Sequence, residues 1–325
     1  MRYVTLGTSD LTVSRIGLGG MSFGDPTLGW SRWALDDDAA APVFRTAVEL
    51  GITLWDTANY YGYGSSEEIV GRAIRRYTRR EDVVLATKVF HAVRDGDPEG
   101  LSRASITANL EASLRRLGTD YIDLYQIHRF DPAVPVEETM AALDDAVRAG
   151  KVRQIGASSM WAWQFAKLQQ TAAQSGWHRC ISMQGQYSLV MREEEREMLG
   201  LLADQGVSAL PWSPLAKGRL ARPWRRSDAR DTVRGETDLW APAFVTPADE
   251  PIVDAVEAVA AERGVSMAQV AVAWVLRHPV VAAPIVGPTR PEHLAEAAAA
   301  VELELTDEEA GRLEEAYTPR LPTGF

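Results

Sequence analysis

An aspartate, a tyrosine, a lysine and a histidine stand at the ends of three apolar runs. Asp56 closes Leu54-Trp55-Asp56, Tyr61 follows five residues later, Lys88 closes Ala86-Thr87-Lys88, and His128 closes Tyr125-Gln126-Ile127-His128. A charged side chain ending an apolar run is costly unless it is paired or used. These four types suit the reduction of a carbonyl. Hydride addition to the carbon builds negative charge on the oxygen, and a proton has to arrive as that charge forms. A free tyrosine holds its proton with a pKa near 10, and a neighbouring ammonium brings that value down by favouring the phenolate. The expected arrangement has Tyr61 as proton donor and Lys88 beside it lowering its pKa. Asp56 keeps Lys88 charged and in place, and His128 orients the carbonyl oxygen. Taken singly, Asp56 also reads as a turn cap, Lys88 as a side chain snorkelling to solvent, and His128 as a core histidine. Their conjunction at three successive run ends carries the reading.

The elements that must hold these residues show as an alternation of short apolar runs with helical periods. Strands are expected over 15–19, 53–56, 83–88, 121–127, 152–157, 180–184, 207–211 and 282–286, after a hairpin turning at Gly7-Thr8-Ser9-Asp10. Between them, Ile106, Leu110, Leu114 and Leu117 make one face of a helix over 102–117 that stops at Gly118. A second helix is expected over 137–149, with Met140, Leu143 and Val147 as its apolar stripe. Ser65 and Glu68 form a capping-box pattern ahead of Ile69, Ala73 and Ile74. Two more helices are expected over 249–264 and 267–277. Strands alternating with helices imply parallel pairing through right-handed crossovers. Eight such units predict an α/β fold, a (β/α)8 TIM barrel with an N-terminal β-hairpin and extra C-terminal helices, as one domain over residues 1–325. One interval breaks the rhythm: 213–247 is polar and without a clear period, and it follows a late strand on the face where barrel active sites lie.

Composition narrows the class. The 325 residues carry a net charge of -11, which argues against a nucleic-acid or anionic-membrane binder. The lone Cys180 excludes an intrachain disulfide and a multi-cysteine zinc site. The N-terminus lacks signal-peptide organisation and no apolar run approaches a membrane span, so a soluble cytoplasmic protein is expected. The five histidines show no ligand spacing, and no metal is expected.

The segments DTANYYGYGSSEEIVGRAI, ATKV, LYQIH, GASS, PWSPLAKGRL and PIVGPTRPEHL, in this order, resemble the motifs of the aldo-keto reductase superfamily. The similarity runs through essentially the whole chain and looks nearest to a bacterial YajO-type subgroup, whose members have also been linked to deoxyxylulose-phosphate formation. It implies NADPH bound in extended form without a Rossmann domain, and a tetrad of Asp56, Tyr61, Lys88 and His128. It further implies Ser158, Ser159 and Gln184 at the nicotinamide carboxamide, and Trp212 stacked on the ring. Ser213, Leu215, Lys217 and Gly218 would wrap the pyrophosphate. Gly287, Thr289 and Arg290 would hold the 2′-phosphate, with His293 near the adenine. At two places the chain departs from the family habit: Ser159 stands where Asn is common, and His293 and Ala297 stand where Gln and Asn are common.

Loops after the first, third and fourth strands are expected to line the substrate pocket through Met21, Trp30, Trp33, Phe90, His91, Arg129 and Phe130. The tryptophans fit a flat aldehyde, whereas Arg129 or His91 fits an anionic group such as a sugar phosphate. The expected function is NADPH-dependent reduction of a small-molecule aldehyde or ketone. Alternatives are an NADPH-binding redox-sensing module and a non-redox sugar-phosphate conversion. Between Lys217 and Arg234, seven basic residues face Asp228 and Asp231, a local excess of +5 within an acidic chain. This stretch is expected to form a positive rim for the cofactor phosphates.

Overall fold

The computed structural model describes residues 1–28, 32–224 and 246–322. β1 (Tyr3–Thr5) and β2 (Thr12–Ser14) pair antiparallel around the expected hairpin turn. Eight parallel strands follow: β3 (Gly17–Gly19), β4 (Leu54–Asp56), β5 (Val84–Val89), β6 (Ile122–Ile127), β7 (Val152–Ser158), β8 (Ser182–Gln184), β9 (Ser208–Ala209) and β10 (Ile285–Val286). They are ordered as in the chain, with β10 beside β3. Parallel bridges Ala209–Val281 and Trp212–Ile285 join the two outer edges, so the sheet closes on itself. Every expected strand is present. Several are shorter than expected, most of all those over 207–211 and 282–286, each reduced to two residues, and Ala282 donates its N–H to Ala209 across the seam at 2.9 Å.

Helices pack around this sheet: α1 (Asp37–Glu49), α2 (Ser65–Tyr77), α3 (Arg103–Leu117), α4 (Val136–Arg148), α5 (Ala162–Ser175) and α6 (Met198–Gln205). Beyond the long interval lie α7 (Glu250–Arg263), α8 (Met267–Leu276), α9 (Pro291–Ala299) and α10 (Asp307–Glu314). Together they make the expected (β/α)8 TIM barrel. α3 begins where Ser102 Oγ accepts the Ser105 N–H at 3.2 Å and ends at Gly118, whose φ of 66° is the left-handed stop that glycine tolerates. No single helix among the described residues is long and apolar enough to cross a membrane.

The capping box expected at Ser65 and Glu68 does not form. Ser65 Oγ instead donates to the Gly62 carbonyl at 2.6 Å and accepts the Asp25 N–H at 3.1 Å. Glu68 turns toward Arg72, one helical turn on. The tight turn ahead of α2 already orders the entry to the helix, and the Ser65 hydroxyl is spent tying that turn to the first loop.

The hairpin closes the N-terminal end of the barrel. Leu6, Leu11 and Val13 pack with the inward-facing Leu54, Ala86, Leu124, Leu210 and Ala282 in one apolar cluster. Gly7 donates to Ser208 Oγ at 2.7 Å, and a Cβ on Gly7 would fall 2.3 Å from the Ile181 carbonyl oxygen. Only glycine allows the hairpin to seat this closely.

Candidate active site at the barrel mouth

The inward face of each strand repeats every second residue, so the layer above the apolar floor is fixed by the sequence two positions on. Above Leu54, Ala86 and Leu124 stand Asp56, Lys88 and Gln126. Register sets Lys88 opposite Gln126 and Asp56 opposite Ala86, two residues before Lys88 on the same face of β5. Lys88 is fully buried, and its Nζ lies 2.5 Å from Asp56 Oδ2, 2.9 Å from the Thr57 carbonyl oxygen and 3.4 Å from Tyr61 Oη. The other carboxylate oxygen, Asp56 Oδ1, accepts from Gln126 Nε2 at 2.9 Å and Gln184 Nε2 at 3.0 Å. A buried ion pair survives when its remaining lone pairs and protons are also bonded, and this one meets that condition.

Tyr61 reaches the pair from the loop after β4. Gly62, Tyr63 and Gly64 all have positive φ, at 55°, 55° and 90°, and this tight reversal aims the Tyr61 ring inward. A Cβ at Gly62 would sit 2.5 Å from Ser65 Oγ, so the reversal needs glycine there. Burial, and after it the negative charge of Asp56, raises the Tyr61 pKa above its ordinary value. The expected lowering by Lys88 is not what the resting site does. The ammonium is neutralised by the nearer carboxylate, and burial disfavours the phenolate. Tyr61 therefore remains protonated throughout the neutral range.

His128 is buried, with its ring edge-on to Tyr61 at a centroid distance of 5.8 Å. Burial first, then the charges of Lys88 and Arg129, hold its pKa well below 6.5, so the imidazole is neutral. Its Nδ1 has no hydrogen-bond partner among the described residues. His91 is likewise held neutral, with its pKa lowered to about 4 by burial and by Arg129. The rings of Tyr60, His91 and His128 lie 4.6–5.3 Å from one another.

The cofactor candidates lie on the opposite arc of the mouth. Ser158 and Ser159 hydroxyls are 3.2 Å apart, and Trp212 Nε1 donates to Ser159 Oγ at 3.2 Å, which fixes the indole beside the strand ends. Gln184 spends its Nε2 on Asp56 and, at 3.4 Å, on Gln126, leaving Oε1 as the atom it can offer a ligand. Ser213, Ala216, Lys217 and Gly218 have φ of 53°, 47°, 56° and 89°. At Leu215–Ala216 the backbone passes from negative to positive φ, a change of hand that turns successive N–H groups to one side in a concavity that suits phosphate oxygens. Leu215 lies inside this run, where its carbonyl accepts the Gly218 N–H at 2.9 Å. Gly287 and Thr289 lead into α9, with Arg290 at its N-cap, a helix end that favours anions. His293 Nδ1 accepts the Thr289 N–H at 3.3 Å and so braces this turn. An indole face, two serine hydroxyls, a left-handed backbone concavity and a basic helix N-terminus together fit a dinucleotide.

Of the pocket candidates, His91 packs edge-on against His128 with Phe90 behind it, Arg129 directly follows His128, Phe130 is half-buried next in the chain, and Met21 is half-buried in the first loop. Trp33 is buried under that loop, whereas Trp30 lies outside the described residues. Of the basic stretch, Lys217, Arg219 and Arg222 are described, with the Arg219 guanidinium stacked 3.5 Å over the Trp224 ring. The remainder, from Arg225 to Arg234, lies outside the described residues. Sequence reasoning missed Gln126, although a glutamine inside the apolar run of β6 is itself a signal of an inward polar partner. It also missed Asn59, which donates to the His91 carbonyl at 2.8 Å and so holds the pocket loop. Trp161 and Trp163 were missed too. They are 46% and 60% exposed just after β7, with Trp163 edge-on to Phe130 at 5.9 Å.

Residues 15–318 match the family model described as the aldo/keto reductase family. The chain belongs to the aldo-keto reductase family. It is therefore an oxidoreductase of carbonyl and alcohol groups, in a family that works with NAD(P)H. It is 46% identical to the versiconal hemiacetal acetate reductase of Aspergillus parasiticus, with 98% of each chain covered. It is 44% identical to a putative aryl-alcohol dehydrogenase of Schizosaccharomyces pombe, over 98% of this chain and 96% of the relative. A putative aryl-alcohol dehydrogenase of Saccharomyces cerevisiae is 38% identical over 98% of both chains. These relatives are fungal aldo-keto reductases rather than members of the bacterial YajO-type subgroup that the motifs resemble.

Proposed function

We propose that this chain reduces an aldehyde or ketone to the alcohol with NADPH, Tyr61 donating the proton, and that it works as one barrel domain in the cytoplasm. The observation that carries the reading is the buried chain of contacts from Asp56 through Lys88 to Tyr61, with neutral His128 beside it. When bound, NADPH supplies the hydride. Tyr61 Oη gives its proton to the carbonyl oxygen as the C=O π electrons move onto that oxygen. A raised pKa suits this role, since the donor stays loaded and an incipient alkoxide, comparable in basicity to hydroxide, still draws the proton away. Lys88 then stabilises the phenolate left behind, across the 3.4 Å contact that is weak in the resting site. His128, neutral and buried, has a ring nitrogen to donate to the carbonyl oxygen and orient it. Ser158, Ser159, Gln184 and Trp212 would hold the nicotinamide end. Ser213, Leu215, Lys217 and Gly218 would take the pyrophosphate, and Gly287, Thr289, Arg290 and His293 the 2′-phosphate end. The relatives named for hemiacetal acetate and aryl-alcohol chemistry support an organic carbonyl substrate.

The test is Tyr61→Phe. Single-turnover hydride transfer to an aromatic aldehyde is expected to slow by about 10²–10⁴-fold, while NADPH affinity, followed by quenching of tryptophan fluorescence, stays within threefold. Near-normal hydride transfer in that variant overturns the assignment of the donor.

A further inference from the structure

We propose that Arg129 is an anion-binding subsite on the substrate side of the mouth, and that the carbonyl compound reduced here carries a carboxylate or phosphate group. The proposal rests on the carbonyl-reducing reading above and names the substrate class within it.

Outside the segment after β9, the other half-buried guanidinium groups among the described residues are matched to negative charge. Arg80 faces Asp123, Arg116 faces Glu67, Arg192 faces Glu195 and Glu314, and Arg320 faces Asp249. Arg15 has no carboxylate partner among the described residues, but it donates to the Leu276 carbonyl at the C-terminal end of α8, where partial negative charge collects, and to the Val281 carbonyl beyond it. Arg129 has neither arrangement. It is half-buried, and of its five N–H donors one is spent on the carbonyl of its neighbour His128 at 2.7 Å. No carboxylate lies within ion-pair distance among the described residues. A partly desolvated charge left without a counter-charge is destabilising, and it is tolerated where a ligand supplies the partner.

The position defines which ligand. Arg129 directly follows His128, and the groups that sense its charge are Tyr60, Tyr61, His91 and His128, all of them at the reacting end of the mouth. These rings make up the wall, and the nearest charges among the described residues, Lys88 and Asp56, are bound to each other, which leaves Arg129 as the cation open to an anion there. The phosphate-suited features, the left-handed run at Ser213–Gly218 and the N-terminus of α9, belong to the segments after β9 and β10. Those strands lie three and four places round the barrel from β6, which Arg129 follows. A guanidinium here grips a carboxylate or phosphate bidentately, and it does so on the substrate rather than on the cofactor.

The experiment compares matched aldehydes: 4-carboxybenzaldehyde against its neutral amide, and glyceraldehyde 3-phosphate against glyceraldehyde. In the unaltered chain, kcat/KM is expected to favour the charged member of one pair at least tenfold, and which pair it is tells carboxylate from phosphate. Arg129→Met and Arg129→Gln are expected to bring that ratio to within twofold, and Arg129→Lys to keep most of it. Benzoate and inorganic phosphate, titrated into the NADP⁺-loaded protein by calorimetry, give a readout free of turnover, with binding at least tenfold weaker in either neutral variant. Equal kcat/KM for charged and neutral aldehydes in the unaltered chain overturns the proposal, as does a preference that survives both neutral variants. Weaker NADPH binding in those variants with the ratio intact would assign Arg129 to the cofactor and overturn it as well. If the unaltered chain reduces none of the four aldehydes, the carbonyl-reducing reading fails, and the benzoate and phosphate titrations decide the subsite alone.

Discussion

The floor and the mouth of this barrel are built on the same strands and are equally dry, for opposite reasons. At the floor, Leu54, Ala86 and Leu124 meet the hairpin's Leu6, Leu11 and Val13 and exclude water by apolar contact. Two residues further along each strand, about 7 Å away, Asp56, Lys88 and Gln126 exclude water just as fully by saturating one another's hydrogen bonds. The floor is insensitive to exact geometry, since apolar contact is non-directional. The mouth depends on distances of a few tenths of an ångström. One face of one sheet thus passes from a layer that supplies stability to a layer that spends it on chemistry.

Removing the cation should break this contrast most severely. Lys88→Met leaves Asp56 buried without its partner, and a loss of about 3–5 kcal/mol in urea unfolding is expected. Hydride transfer should fall by about 10²–10⁴-fold in the same variant. In the double variant with Asp56→Asn the stability loss should be smaller than the sum of the two single losses, because neither charge is then stranded. The floor should behave differently. Leu6→Ala is expected to cost about 2–5 kcal/mol while kcat/KM at 25 °C stays within threefold, because nothing at the mouth moves.

Gln126→Leu sharpens the comparison by making one position of the mouth resemble the floor. It deletes a hydrogen bond to a charged carboxylate, worth about 1.5–3 kcal/mol, and a roughly tenfold lower kcat is expected with KM nearly unchanged. The smallest effect concerns pH. His91 titrates near 4 in the fold and near 6.5 when unfolded, so the unfolded chain binds the proton first as pH falls. Stability is then complete above about 6.5 and declines progressively toward 4, and His128, lowered in the same direction, adds to the slope. Denaturant titrations between pH 4.5 and 7 should show the decline, and His91→Phe should flatten it. Between pH 6 and 8, kcat/KM should show no inflection from His128 or Tyr61, since one is neutral and the other protonated throughout.

Much of the mouth was legible in the sequence because a charge at the end of an apolar strand advertises itself. Asp56, Lys88 and His128 stand out against Leu54, Leu85 and Ile127, and the period of the sheet brings the first two together with Gln126 and Gln184. What escaped depended on contacts between segments far apart in the chain. The serine–glutamate spacing at Ser65 and Glu68 is a genuine local pattern, but Asp25, forty residues upstream, claims the Ser65 hydroxyl. The proximity of Lys88 to Tyr61 was foreseen, yet the direction of the Tyr61 pKa turns on burial, which no spacing reports. Asn59 is one polar residue in a loop until the fold brings the His91 carbonyl to it.

The left-handed run from Ser213 to Gly218 has a consequence for the protein's life in a cell. Three non-glycine residues there sit in a backbone region that costs of order 1 kcal/mol or more each. That cost is borne whether or not an anion is present, and a bound anion offsets it only in the folded chain. Resistance to proteolysis, and with it the standing abundance of the protein, should therefore follow the supply of whatever fills the turn.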